Sequence, residues 1–351
     1  MERKISKTFL MIIAGCGLSV CMSGCFKVEK VPPPKPPYRF VTPNHLFAVA
    51  ASGLHVWIVG FDGTIVYSPD SGATWEHQQS GMQVNLCDVS FVSPTHGWSS
   101  GRAGTMLHTS DGGKTWVPQT TGTSNHLFAV HFVDQQYGWA VGDFGTIIAT
   151  TDAGATWSPQ GAGEDKIYND VYFIDRTTGW IAGEYGTIYA TTDGGSTWHR
   201  QECPDIIPVV SESEWEQQPP SLYSIYFNDS RSGFACGMDG TIIATTDGGK
   251  SWRKSPNPAE ALKVTLYKIQ GSADVLIAVG QKGTCVVSRD RGLHWELHRE
   301  ATQTRSWLRD MALSENREAW AVGARGTILK TTDGATTWKV VSGIMLASAA
   351  R

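Results

Sequence analysis

Short extended segments with a recurring apolar pattern fill most of the chain. The first segment of each repeat has the form L-x-x-V-x-F, as in residues 127–132, and the second reads G-W-A-V-G, as in residues 138–142. The third is G-T-I-x-x-T, as in residues 145–150, and the fourth begins at a Thr-Trp pair, as in Thr156-Trp157. Gly and Asp separate these short segments, which predicts a four-stranded antiparallel meander.

The meander recurs together with an octet, S/T-x-D-x-G-x-T/S-W, which occurs seven times, with one departure in each of the last two copies, His294 and Ala335. Successive copies are 41, 41, 41, 54, 43 and 43 residues apart, a spacing typical of repeat architectures. We therefore predict an all-β fold, a seven-bladed β-propeller of four-stranded antiparallel blades with an Asp box in each turn between strands three and four. The Asp residues of the seven octets are Asp70, Asp111, Asp152, Asp193, Asp247, Asp290 and Asp333.

The octet carries turn chemistry. Its Asp can accept N–H bonds from the residues that follow, and the Gly two positions later tolerates a positive φ. The Trp returns a large apolar face to the core. Seven metal-binding or catalytic Asp sites are the alternative, but turn-stabilising Asp is the commoner case. We therefore assign these Asp residues a structural role.

The second predicted strand carries an aromatic residue in most repeats, which we expect to pack between neighbouring blades. These positions are Trp57, Trp98, Trp139, Trp180, Phe234 and Trp320, with Ile277 in blade six. How the ring closes is left open by the sequence, although residues 38–41 could add a strand to the last blade. Extra residues between Trp198 and Leu222 are predicted to lie in the crossover from blade four to blade five.

Composition predicts further regions before and after the propeller. The four regions are a lipoprotein signal peptide, a Pro-rich tether, the propeller and a short tail, at residues 1–25, 26–39, 40–342 and 343–351. The signal has a basic start and ends in Met22-Ser23-Gly24-Cys25, which resembles a bacterial lipobox. Cys25 is the predicted lipidation site, Cys16 is the alternative, and an ordinary secretory signal is the other interpretation.

Lipidation would place the chain at a membrane, because more than one acyl chain makes anchoring stable. Phe26 rather than Asp follows Cys25, and by resemblance to Gram-negative sorting rules this residue does not retain a lipoprotein at the inner membrane. We expect an exported lipoprotein that faces the periplasm from the outer membrane, or the thylakoid lumen in a phototroph. The net charge of −4 predicts no nucleic-acid partner, and we expect a monomer.

The octet resembles the Asp-box (BNR) repeat, and the longer combination GWAVG-x-x-GTI-x-x-TTDGGxTW resembles the Ycf48/HCF136 family of photosystem II assembly and stability factors. This resemblance covers nearly the whole mature chain. It implies a seven-bladed propeller without enzymatic activity or cofactor that binds membrane-protein assembly intermediates. The family's binding face carries an arginine cluster, for which the nearest candidates are Arg305, Arg309 and Arg325. Relatives also occur in bacteria without photosynthesis.

Propeller geometry predicts which loops can bind a partner. The crossovers between blades and the turns between strands two and three share one face, and the Asp boxes lie on the other. Two Trp residues that the repeat does not explain, Trp215 and Trp307, both fall in crossovers. Because exposed Trp with nearby Arg is typical of interface hot spots, we predict that Trp215, Trp307, Arg305 and Arg309 contribute to a docking surface, with the acidic segment 212–216 as an arm. The alternative is that each Trp covers the propeller locally.

Metal and catalytic sites find little support in the sequence. The residues just before the inner strands should ring the mouth of the tunnel, namely His45, Asn85, His126, Ile167, Ser221, Thr265 and Trp307. Only two of the seven are His, whereas a metal site needs three or four ligands, so we predict no metal and no cofactor. Asp boxes also occur in sialidases and glycoside hydrolases, and the carboxylates to test would be Asp143, Glu164, Asp165 and Glu184.

The cysteines outside the signal predict no function. Cys87, Cys236 and Cys285 fall in predicted strands and are interpreted as small buried apolar residues, and Cys203 lies in the long crossover. An exported protein can form disulfides, but the sequence indicates none.

Overall fold

Seven antiparallel sheets follow one another along the chain, one for each copy of the octet. The computed structural model describes residues 38–39, 41–161, 164–207, 218–272, 275–298, 302–314 and 318–344. Cys16, Cys25, most of the tether, Trp215 and the segment 212–216 lie outside the described residues. No helix in the described ranges is long and apolar enough to cross a membrane.

Within each sheet the four strands pair in sequence order, which confirms the predicted meander. The first, inner strands are β2 (Leu46–Ser52), β6 (Leu86–Phe91), β10 (Leu127–Phe132), β14 (Tyr168–Phe173), β18 (Leu222–Phe227), β22 (Leu266–Gly271) and β26 (Leu308–Leu313). The second strands are β3 (His55–Gly60), β7 (Gly97–Gly101), β11 (Gly138–Gly142), β15 (Gly179–Gly183), β19 (Gly233–Gly237), β23 (Leu276–Gly280) and β27 (Ala319–Gly323).

The outer half of each blade is formed by its third and fourth strands. The third strands are β4 (Ile65–Ser68), β8 (Met106–Thr109), β12 (Ile147–Thr150), β16 (Ile188–Thr191), β20 (Ile242–Thr245), β24 (Cys285–Ser288) and β28 (Ile328–Thr331). The fourth strands are β5 (Glu76–Gln78), β9 (Val117–Pro118), β13 (Ser158–Gln160), β17 (His199–Gln201), β21 (Arg253–Lys254), β25 (Glu296–Leu297) and β29 (Lys339–Ile344). The inner strands of adjacent blades contact one another in a ring that closes between β26 and β2. The fold is therefore a seven-bladed β-propeller.

The fourth strands differ from the prediction that they begin at the Thr-Trp pair. In six blades they have only two or three residues and begin after the Trp. The reason lies in the Asp box, where the backbone N–H of the Thr before the Trp is bound to the Asp carboxylate, so the Thr belongs to the turn. In blade four, Thr197 N donates to Asp193 Oδ1 at 2.9 Å and Thr197 Oγ1 donates to Asp193 Oδ2 at 2.6 Å.

The second-strand aromatics pack between blades, as predicted. Trp57 stacks on Phe91 of the next blade with ring centroids 3.7 Å apart, and its Nε1 donates to the carbonyl of Gly112 at 2.9 Å. Trp98, Trp139 and Trp180 make the same stacking contact with the following blade. The seams that follow blades one to four are thus aromatic layers, which bury a large apolar area.

The sequence left open how the N-terminal segment takes part in ring closure, and the structure shows that it adds a strand to the last blade. Strand β1 (Tyr38–Arg39) pairs antiparallel with β29, so blade seven has a fifth strand at its outer edge. The backbone N–H of Val41 then donates to Ser342 Oγ at 2.9 Å. Residues 38 and 39 therefore pair with blade seven, although the composition assigned them to the tether.

Two crossovers contain local structure. The long crossover after β17 includes a short 3-10 turn at Pro204–Ile206, and both Cys203 and Ile206 pack into the core between blades four and five. The next crossover contains α1 (Pro258–Ala261), which the sequence analysis missed. Its signal was present, because Asn257 caps the helix by accepting a hydrogen bond from Ala259 N, and proline takes the first helical position.

Candidate functional site

The crossovers and the turns between strands two and three lie on one face of the ring, which we call the crossover face. In blade one, Gly63 N in this turn donates to Val84 O in the crossover to blade two at 2.7 Å. The Asp boxes contact the other set of turns instead, since Gly112 N donates to Thr95 O at 2.9 Å. The predicted separation of the two faces is therefore confirmed.

The residues predicted to ring the tunnel mouth hold the turns of the crossover face in place. In each blade the carbonyl of this residue accepts a hydrogen bond from the first residue of the turn, as His45 O does from Phe61 N at 2.9 Å. Two histidine rings accept as well: Nδ1 of His45 from Arg325 N and Nδ1 of His126 from Ala103 N, each at 3.1 Å. The part of the chain that the structure describes contains no group of three or more His, Cys, Asp or Glu suited to a metal ion.

Arg309 occupies the mouth of the tunnel. It follows Leu308 at the start of β26, and its guanidinium lies 5.1 Å from the ring centroid of Tyr267 and 5.8 Å from that of Tyr223. Burial raises the pKa of the nearby Cys87 thiol to about 11, against the opposing effect of the positive charges of Arg309 and Arg102. Arginine held over aromatic rings is the composition of a recognition site for an anionic or aromatic group.

The other predicted binding residues are distributed around Arg309. Trp307 is half-buried and stacks on Phe47 of blade one, with centroids 6.3 Å apart and rings 8° from parallel. Its role is therefore in part the local cover that the sequence analysis offered as the alternative. Arg305 and Arg325 are exposed, and Arg325 lies in the turn of blade seven beside His45. Trp215 lies outside the described residues.

Deeper in the tunnel lies a group of charged residues that sequence reasoning missed. Asp88, Asp170, Lys268 and Asp310 all occupy the third position of an inner strand, at a bulge in the pairing with the second strand. Lys268 Nζ is 3.5 Å from Asp170 Oδ2 and 3.7 Å from Asp310 Oδ1. The group lines a cavity of about 200 Å³. Their common position in the repeat was the signal that could have revealed them.

Each of the three aspartates also joins its own blade to the next. Asp88 Oδ2 accepts from Val130 N at 2.9 Å, and Asp170 Oδ2 accepts from Ile225 N at 3.0 Å. Asp310 Oδ2 accepts from Val49 N at 2.8 Å, across the junction between the last blade and the first. These carboxylates therefore hold the inner ring together.

The charges in the tunnel shift one another's protonation. Burial raises the pKa of Asp88 to about 7, although Lys268 opposes the shift, and burial also raises the pKa of Asp310. Burial alone would lower the pKa of Lys268, but the carboxylates of Asp170, Asp310 and Asp88 outweigh it and raise this pKa above its ordinary value. Lys268 thus stays protonated and serves as the counter-charge of the aspartates.

The carboxylates considered for a glycosidase are engaged in local structure. Glu164 Oε1 accepts from Arg200 at 2.9 Å, Asp143 Oδ1 from His126 N at 2.7 Å and Glu184 Oε1 from Ile167 N at 3.2 Å. Asp165 is exposed on the same crossover. The four described cysteines, Cys87, Cys203, Cys236 and Cys285, are free thiols, and all but Cys87 are buried.

Comparison with known protein families identifies the chain. The sequence profile described as "Photosynthesis system II assembly factor YCF48" matches residues 75–160 and 207–303, just over half of the chain. The chain belongs to the Ycf48 family. No curated protein matches it. The match confirms the family that the Asp-box pattern suggested.

Solved structures resemble the chain in fold. "YCF48 bound to D1 peptide" has 17% sequence identity and a TM-score of 0.68, with 85% of this chain and 95% of that one covered. "YCF48 from Cyanidioschyzon merolae" has 17% identity and a TM-score of 0.65, with 84% and 97% covered. A GH74 xyloglucanase from Xanthomonas campestris has 12% identity and a TM-score of 0.65, with 87% of this chain but 56% of the enzyme covered. At such identities the likeness concerns the propeller fold alone.

Proposed function

We propose that this Ycf48-family chain is a non-enzymatic, membrane-anchored scaffold that binds a membrane protein, or an assembly intermediate of one, through the crossover face. The observation that carries the proposal is the tunnel mouth, where Arg309 packs over Tyr223 and Tyr267 in front of an otherwise repetitive ring. Residues that depart from the repeat concentrate on this face, and loops on a rigid scaffold are where binding residues commonly lie.

The basic half of the crossover face fits an acidic segment of a partner. Arg305, Arg309 and Arg325 belong to blade seven and Arg102 to blade two, so they flank blade one. Within the described ranges none of these four guanidiniums forms an ion pair, whereas arginine commonly binds carboxylates with two parallel hydrogen bonds. The solved complex of a Ycf48 protein with a D1 peptide supports a peptide as the class of ligand. In a phototroph the partner would be a photosystem II intermediate, and elsewhere another membrane protein.

The membrane anchor is the second part of the proposal. We infer lipidation at Cys25, with Cys16 as the alternative, followed by a Pro-rich tether that keeps the propeller away from the lipid surface. The chain would be exported and face the periplasm from the outer membrane, or the thylakoid lumen in a phototroph. Metabolic labelling with palmitate, compared between wild type, Cys25→Ser and Cys16→Ser, tests this anchor.

Double substitution of Arg305 and Arg309 by Gln tests the binding face. Loss of the two charges should weaken capture of a chemically cross-linked membrane protein roughly tenfold or more, because truncated hot-spot arginines commonly cost that much. The measurement is quantitative mass spectrometry of the cross-linked partner from solubilised membranes, together with the melting temperature. The matched control is Arg176→Gln, since Arg176 lies in a turn on the Asp-box face and pairs there with Asp134 at 2.7 Å.

Three results would decide whether the crossover face binds the partner and whether the chain is an enzyme. The proposal requires that the double Gln variant melts like wild type and loses the partner, while Arg176→Gln keeps it. Unchanged capture by the double variant would contradict it. Turnover of aryl glycosides or sialosides by wild type, lost in Glu184→Gln, would contradict the non-enzymatic role.

A further inference from the structure

Two exposed aromatic side chains occupy strained positions on the crossover face. The second residue of every turn between strands two and three has a left-handed backbone, at Asp62, Ala103, Phe144, Tyr185, Asp239, Lys282 and Arg325. Bulky side chains are disfavoured in this conformation. Nevertheless, blades three and four carry Phe144 at φ 51° and Tyr185 at φ 53°, and these side chains are 70% and 43% exposed. Residues that are both strained and solvated suggest selection for another role.

These two aromatics belong to one continuous strip. The turn of Phe144 is bound to the next crossover, since Gly145 N donates to Lys166 O at 2.7 Å. The following residue, Ile167, is 39% exposed, and its N–H donates to Glu184 beside Tyr185. We call the exposed side chains Phe144, Ile167, Tyr185 and Met238 the apolar ridge.

Met238 extends the ridge into blade five. Tyr185 N donates to Ser221 Oγ at 3.3 Å, and Met238 N donates to the carbonyl of the same serine at 3.0 Å. Met238 is 39% exposed. The crossover residue that faces the turn of Phe144 is Ile167, whose side chain cannot accept a hydrogen bond. At the equivalent positions, the side chains of His45, Asn85 and His126 each accept a backbone N–H from the turn of the preceding blade. At Phe144 both the turn and the facing crossover position are therefore apolar, whereas the polar Ser221 faces Tyr185.

Carboxylates border the ridge. Asp143 and Glu184 directly precede the two aromatic residues, Asp165 lies two positions before Ile167, and Asp239 follows Met238. One cation, Lys166, lies within the strip, with its Nζ 5.0 Å from the centroid of the Tyr185 ring. Asp165 and Asp239 are exposed. This border is opposite in sign to the arginines of blades two and seven.

We propose that the apolar ridge docks a short apolar segment of a protein partner that carries lysine or arginine at its ends. Exposed aromatic and aliphatic side chains supply the contact area, and the surrounding carboxylates select the basic ends. The inference rests on the proposed function in placing a partner on the crossover face, but it concerns different blades and partner residues of opposite charge. The crossover face would then bind a partner in one orientation. An acidic segment would lie on blades seven to two, and a basic, apolar segment would lie on blades three to five.

The ridge can be removed without disturbing the turns. Asn tolerates the left-handed region better than most residues, so the double variant Phe144→Asn/Tyr185→Asn should fold and melt no lower than wild type. The matched control is Asp62→Asn/Lys282→Asn, which changes the same turn position in blades one and six. The probe is a fluorescein-labelled synthetic peptide of Leu and Ala with lysines at both ends, and its glutamate-ended counterpart serves as the charge control.

Fluorescence anisotropy with the full chain gives the decisive comparison. We expect the lysine-ended peptide to bind wild type and the control variant alike, and the ridge variant roughly tenfold more weakly or worse. The glutamate-ended peptide should bind poorly to all three, while the Arg305/Arg309 variant should keep its affinity for the lysine-ended peptide. Equal binding by wild type and ridge variant, or equal binding of the two peptides, would overturn the inference. Sedimentation with phosphatidylcholine vesicles that depends on the ridge would also overturn it, since the surface would then face lipid.

Discussion

At the scale of single residues, one position of the inner strand accounts for how blades are joined inside the tunnel. Asp88, Asp170 and Asp310 each accept a backbone N–H from the following blade, and Ser224 Oγ does so from Ile269 N at 3.3 Å. Lys268 occupies the same position in blade six and balances part of the negative charge. A buried carboxylate is tolerable only with such partners. The aspartates in the tunnel therefore have a structural role, because they bond each blade to the next.

Asp88 should make stability depend on pH in an unusual direction. Its pKa is about 7 in the folded protein because of burial, whereas an unfolded aspartate titrates near its model value of 3.8. Between these values the unfolded chain has lost a proton that the folded chain keeps, so this group costs stability as the pH rises. Asp88→Asn should therefore gain stability relative to wild type from about pH 4 to 7, by at most about 1.4 kcal/mol per pH unit, with no further change above 7.

Urea unfolding of both proteins across this pH range measures the difference. The exposed Asp239→Asn variant is the control, and its stability should run parallel to wild type. The groups that face Asp88 are Lys268, Asp170 and Asp310, all of which remain in the variant. A constant difference between wild type and Asp88→Asn from pH 4 to 7 would contradict the assignment.

At the scale of elements, the Asp box is a turn whose Asp carboxylate is bonded only to residues of its own octet. In blade four Asp193 Oδ1 accepts from Thr191 Oγ1 at 2.8 Å, and Gly195 N donates to the same threonine at 3.0 Å. Hydrogen bonds, first of all that from the Thr197 side chain, lower the pKa of Asp193 to about 2. Because donors and acceptor lie within a few residues, the sequence alone was sufficient to predict this chemistry.

Replacing the box carboxylate should lower stability, and acid should remove the difference. Asp193→Ala loses both Thr197 bonds, so we expect a fall in melting temperature of roughly 2–4 °C at neutral pH. Since the folded pKa is depressed, the stabilisation is present above the unfolded pKa and is lost as the pH falls toward 2. Calorimetry at several pH values tests this. Ser196→Ala, which loses one exposed bond, should melt close to wild type, and a deficit of Asp193→Ala that persisted at pH 2 would be inconsistent with it.

The distinction between local hydrogen bonds and contacts of distant residues explains which parts of the structure the sequence could predict. The first and second strands of blade three lie at 127–132 and 138–142, as their apolar pattern predicts, because that pattern reflects burial between blades. The length of the fourth strands depends on exposure at the outer edge, and the pairing of β1 with β29 joins the two ends of the chain. Trp307 was recognised because it breaks the repeat, whereas Phe144 and Tyr185 occupy a turn position that the sequence pattern does not mark. Their left-handed backbone and their exposure become visible only in the structure.

At the scale of the whole molecule, one junction differs from the other six. Blades one and seven are joined by the chain from β1 to β2, but β1 itself is held to blade seven only by its pairing with β29. The junction is also held by Asp310 with Val49, by Trp307 on Phe47, and by Gly326 N donating to Asn44 O at 2.8 Å. On the outer side, Lys330 Nζ contacts Ser71 O at 3.1 Å. Opening at this junction would detach β1 from β29 and break the ring while the four sequential strands of each blade stay paired.

Asp170 and Asp310 allow this junction to be compared with an ordinary one. Both carboxylates contact Lys268 and accept one N–H from the next blade, at 3.0 Å and 2.8 Å. Each Ala variant should lose about 1–3 kcal/mol, because the buried N–H of the next blade is left without its acceptor. Asp310→Ala should lose more, since a covalent crossover joins all strands of blade four to blade five, whereas the link between blades seven and one is anchored in blade seven only by the pairing of β1 with β29. We expect a lower urea midpoint and faster amide exchange at Val49 in Asp310→Ala than at Ile225 in Asp170→Ala. Equal midpoints and equal exchange would mean that the pairing of β1 with β29 closes the ring as firmly as a covalent crossover joins two blades.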